Sequence, residues 1–131
     1  MNVRLTWLFA LLVCAGISAP AFAHHGAAAY ETKLTTLKGT VTEFQFVNPH
    51  AQILFEVSDA SGKNRKWIAE SVSPAAMSRS GWTRNTLKPG DPVTVTGNCS
   101  KNGTPAMRLS KIVLADGREL DITRGEDYAG Q

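Results

Sequence analysis

Cysteine and histidine are scarce in this chain, with two cysteines and three histidines among 131 residues. No Cys-x-x-Cys and no His-Glu-x-x-His occurs, so the familiar zinc signatures are missing. Nor is there a Gly-x-Ser-x-Gly, which removes the strand-turn-helix elbow on which many hydrolases expose a serine. Charge is modest, at a formal +3, and so small a surplus argues against a nucleic-acid partner. No internal repeat and no low-complexity run is present. Glu43, Glu56 and Glu70 fall on alternating strand positions and read as a solvated face, not a carboxylate pair.

The long apolar run is confined to the beginning. Arg4 supplies a positive start, Leu5 to Ile17 are apolar apart from Thr6 and Gly16, Pro20 breaks the run, and Ala21-Phe22-Ala23 offers small residues where a signal peptidase reads. A membrane-spanning helix needs about twenty apolar residues, and this run is shorter and lacks a basic flank. A lipoprotein is a second rival, because Cys14 follows Leu12-Val13, but Val13 is not the small residue that processing favours. The expectation is a cleaved signal peptide over 1–23, a periplasmic location and a mature chain beginning at His24 with no stable membrane span. Cleavage removes one positive charge and Cys14. Cys99 is then left without an internal partner, in phase with Val93 and Val95, as a buried small hydrophobe. What remains suits one domain with a core large enough to need no staples.

From Leu37 the pattern becomes strand-like, and 24–35 is expected to be a flexible leader. In "LKGTVTEFQFV" the apolar phase runs Leu37, Gly39, Val41 and then shifts to Phe44 and Phe46, as a bulge would make it. "AQILFEVS" alternates cleanly, with Ile53, Phe55 and Val57 on one face. "SDASGKN" is a turn and "RKWIAES" a third strand. Ser73 and Pro74 open a helix reaching Ser80, Gly81 ends it, and Trp82 is placed to fold back on Met77. "PVTVTGNC" and "AMRLSKIVLA" follow as strands, the second with a phase shift between Leu109 and Ile112. Asp116-Gly117 reads as a two-residue hairpin turn into "RELDIT". Three strands, a helix, then two or three strands predict a mainly β fold, a small OB-type barrel of five or six strands over 36–124, with a frayed tail at 125–131. A small β-sandwich is the rival.

Four motifs occur in order: His24-His25, Asn48-Pro49-His50-Ala51, Gly81-Trp82-Thr83-Arg84 and Leu87-Lys88-Pro89-Gly90-Asp91. In these the mature chain resembles an uncharacterised family of small exported bacterial proteins of unknown function. The resemblance implies an exported OB-like domain and brings no activity or site with it. Gly26 to Ala29 are small where that family often carries a bulky residue.

All three histidines lie at two places, the expected mature N-terminus and the loop before the second strand. Imidazole suits copper, zinc and nickel. An N-terminal histidine offers its amine as well as its ring, and a third nitrogen from His50 would complete an all-nitrogen copper site. His25 offers an alternative set of amine, peptide nitrogen and ring. His24, His25 and His50 are therefore the candidate metal ligands, with copper the candidate cofactor. The competing reading is bland: polar residues at a cleavage junction, a histidine pinning a loop, and a metal-free envelope module recognising a protein, a glycan or another small ligand. Trp67 and Trp82 are expected in core and helix-cap packing. Arg79, Arg84 and Lys88 form a modest basic patch. No catalytic residue is assigned, because no feature supplies a substrate.

Overall fold

The computed structural model describes residues 28–122. Its elements are β1 (Tyr30–Gln45), β2 (Gln52–Ser58), β3 (Asn64–Glu70), α1 (Pro74–Arg79), β4 (Pro92–Ser100), β5 (Ala106–Val113) and β6 (Glu119–Asp121). The sheet order is β3-β2-β1-β4-β5-β6, and β3 also pairs with β5. That last pairing is parallel and joins Ile68 to Ala106, Ala69 to Met107 and Glu70 to Arg108. It closes the sheet into a ring, with β6 attached to β5. The order is the OB-type one, mainly β with one short helix between β3 and β4. Among the described residues no helix is long and apolar enough to cross a membrane.

Three register slips interrupt the long strands, one of them between Tyr30 and Leu34 against β4, and the other two are single-residue bulges that let the sheet curl. The β1–β2 register slips between Val41 and Glu43, which leaves Thr42 as the extra residue. Val41 and Phe44 thus both face inward although three positions separate them. On β5 the register steps from Lys111 to Leu109 against adjacent residues of β4, so Ser110 is extra. Opposite that bulge the backbones approach so closely that a Cβ on Gly97 would collide with the Arg108 carbonyl oxygen. Only glycine admits such an approach.

The core fills the ring. Ile53, Phe55, Ala69, Val95, Met107 and Ile112 are fully buried, Val93 nearly so, and Val57 is half-buried against them. The two-residue period of each strand places these side chains on one face. α1 closes one end. The Ser73 hydroxyl accepts from the Ala76 N–H, and Met77 and Trp82 are both buried. The ring of Trp82 meets that of Phe44 at 5.9 Å. Trp67 is half-buried at the edge of this core, with the Arg65 guanidinium 5.6 Å from its ring centre.

Three expectations are corrected. β1 begins at Tyr30, so 30–35 belong to the sheet and not to a leader: Leu34, Thr35 and Thr36 pair with Asn98, Gly97 and Thr96 of β4. Cys99 is half-buried, not buried, because the inward phase of β4 weakens at its last residues. The turn before β6 spans three residues. Leu114 donates to the Arg118 carbonyl, Gly117 donates to the Leu114 carbonyl, and Gly117 alone has positive φ, at 84°. A two-residue type I′ turn would need positive φ at both central positions, and Asp116 does not supply it.

Candidate functional site

Four chain segments meet at the end of β3. The β2–β3 hairpin sets Gln52 opposite Glu70. Its ladder continues beyond the strands, with Ser71 donating to the Ala51 carbonyl at 2.9 Å and Ala51 to the Val72 carbonyl at 3.0 Å. That pairing holds the loop carrying His50 beside Glu70. The peptide bond between Asn48 and Pro49 in this loop is cis. On the other side of β3, Arg108 of β5 pairs with Glu70 in register. β1 starts nearby: Tyr30 is in register with Ser100, and Lys101 donates to the Ala29 carbonyl at 2.9 Å.

The Glu70 carboxylate divides its oxygens between two partners. Oε1 lies 2.5 Å from His50 Nδ1. Oε2 accepts from the Tyr30 hydroxyl at 3.2 Å. A carboxylate only accepts, so the shared proton sits on Nδ1, and in the neutral ring Nε2 is then the one remaining acceptor. The histidine side chain is 54% exposed and the glutamate 36%. A contact so open to water contributes only about 0–1 kcal/mol even when the ring is charged, so stability is a poor reason for it. Its consequence for the neutral ring is a preference for the Nδ1–H tautomer.

Tyr30 feels the same carboxylate. Partial burial, repulsion between a phenolate and Glu70, and the hydrogen bond it would lose all push the phenol above its ordinary pKa, and Arg108 opposes them. Tyr30 is therefore a donor throughout the neutral range.

Of the candidate ligands, only His50 lies in the described region; His24 and His25 fall outside the described residues. Among the described residues no group of three or more His, Cys, Asp or Glu is placed to hold a metal ion. Glu70 and Tyr30 are the functional candidates that the sequence alone did not single out. Of the basic trio, Arg79 lies in the last turn of α1. Lys88 donates through its backbone to Asp91. Arg84 lines a separate groove of about 530 Å³ with Glu43, Phe44, Gln45, Phe46 and Val47.

The chain matches the family described as Family of unknown function (DUF6152) over residues 11–108. It belongs to that family. No curated protein matches it, and no solved structure does. Membership agrees with the expectation of an uncharacterised family and assigns no chemistry, so function must be argued from the site.

Proposed function

We propose that this protein is exported, cleaved after Ala23, and acts in the periplasm as an OB-like module that binds Cu(II) at the expected mature N-terminus. The His24 amine and ring form the chelate, His25 is the alternative donor beside it, and His50 adds a nitrogen through Nε2. One observation carries this reading: an exposed histidine is held by a carboxylate through Nδ1. Histidines that ligate metals generally donate their other ring N–H in this way, which fixes the ring and raises its basicity. Two facts support the partnership with the N-terminus. The same carboxylate binds Tyr30, where the leader joins β1. And six residues of chain reach at most about 20 Å, which limits how far His24 can lie from Tyr30 and would raise its effective concentration at His50.

Calorimetry with Cu(II) on three proteins tests the proposal: the chain beginning at His24, the same chain with Gly-Ser added before His24, and His50→Ala. The extension keeps every side chain and displaces the amine, so it should bind more weakly, as should His50→Ala. An amine and an imidazole must both shed protons to ligate, and their ordinary pKa values are about 7.7–8.0 and 6.5. Affinity should accordingly fall steeply from about pH 7 to pH 5. Equal affinity of the extended and native forms sinks the N-terminal chelate.

A second reading has its own observation. Val47 is 54% exposed beside the Phe44–Phe46 ring pair, in the groove that Arg84 borders. If none of the three proteins binds copper above background, a metal-free interaction module using this groove becomes the better account.

A further inference from the structure

We infer that Glu70 is the positioning residue of this site: it fixes His50 as the Nδ1–H tautomer, so that Nε2 is the ligating atom, and through Tyr30 it moors the start of β1 beside that ring. The inference rests on the copper reading above and adds to it the device that makes His50 a competent ligand. An unconstrained neutral histidine side chain favours the proton on Nε2, the very atom the site needs bare. A carboxylate at 2.5 Å from Nδ1 reverses that preference. Position comes from the sheet, because Glu70 is flanked in register by Gln52 on β2 and Arg108 on β5. A residue paired on both sides has little freedom to wander, whereas His50 sits in a loop and owes its orientation to a side-chain partner. The second oxygen holds Tyr30 at 3.2 Å. One carboxylate thus fixes the folded ligand and the point from which the N-terminal ligands extend.

The test uses the chain beginning at His24 and its Glu70→Ala, Glu70→Gln, Tyr30→Phe and His50→Ala variants. Long-range proton–nitrogen NMR on metal-free protein reads the tautomer of His50, and calorimetry reads Cu(II) affinity. In the native chain and in Tyr30→Phe the proton should sit on Nδ1; in Glu70→Ala it should move to Nε2. Copper affinity should fall about 10–100-fold in Glu70→Ala, the range for outer partners of metal-bound histidines. The loss should be smaller in Glu70→Gln, whose amide oxygen still accepts from Nδ1 and whose shape preserves the fold. Tyr30→Phe should lose less than Glu70→Ala. A native protein with the proton on Nε2 overturns the inference. So does a Glu70→Ala variant that binds copper as tightly as the native chain while His50→Ala binds more weakly. If instead His50→Ala itself binds at full affinity, the convergent copper site has failed, and the positioning role falls with it.

Discussion

At the scale of single residues, Tyr30 offers the cleanest check on the site, because its phenol is coupled to Glu70. Its pKa is raised in the folded chain. The stability tied to its protonated form is therefore fully present below the ordinary tyrosine value of about 10 and is lost as pH rises through the higher folded value. Tyr30→Phe should remove that alkaline loss. A difference absorbance titration between the native protein and this variant isolates the Tyr30 phenol from Tyr128 and should show it ionising above the unfolded chain. Coincident curves would mean that the phenol does not face the carboxylate. Neither Tyr30 nor Glu70 was legible as a site residue. Glu70 belongs to an alternating series with Glu43 and Glu56, which reads as a wet face. The register hid its role: the turn that joins Asp59 to Lys63 makes Gln52 pair with Glu70, and only that pairing brings the carboxylate to the loop of His50. Tyr30 was lost because Thr32, Lys33 and Leu34 are all exposed, so no alternation marks the strand there. Its pairing with β4 does.

Elements with local signals were legible. The phase slips at Thr42 and Ser110 stand in the sequence as breaks in a two-residue period, and each is a bulge in the structure. α1 was also written at both ends. Gly81, with φ 85°, donates to the Ser78 carbonyl at 3.0 Å, and Trp82 donates to the Met77 carbonyl at 3.1 Å. These are the two bonds of a Schellman ending, with Met77 and Trp82 the apolar pair that accompanies it. Such a short helix cannot stand on propensity, so its caps should matter. Ser73→Ala should cost about 0.5–2 kcal/mol. Gly81→Ala, forced into a left-handed conformation, should cost about 1–2 kcal/mol. Urea unfolding midpoints measure both, and unchanged midpoints would show that α1 is held by core packing alone. The turn before β6 is one residue longer than Asp116-Gly117 implies, because Asp-Gly signals a tight turn without fixing its length, which is set by where the flanking strands stop pairing.

At the scale of the whole molecule, the copper proposal turns on whether the metal would meet the fold or only the free chain end. A ligand stabilises a protein only to the extent that it prefers the folded state. The His24 amine and ring, and His25 with them, are present in the unfolded chain too, so a chelate made by them alone raises the melting temperature little. His50 is different. It meets Glu70 through the β2–β3 pairing and meets Tyr30 through the start of β1, and all three are brought together only when the sheet closes. The rise in melting temperature at saturating copper would therefore measure what the fold adds to the proposed N-terminal chelate. If His50, with the carboxylate that positions it, contributes about a hundredfold in affinity, that is about 2.8 kcal/mol. A domain of this size gains about 4–8 °C for each kcal/mol. The chain beginning at His24 should melt higher with saturating Cu(II) by that order, and its His50→Ala variant should lose most of the rise although it still binds copper. Glu70→Ala should fall between them. Equal rises in the native chain and in His50→Ala would place the metal on the chain end alone, and the ring would then be a scaffold that takes no part in holding it.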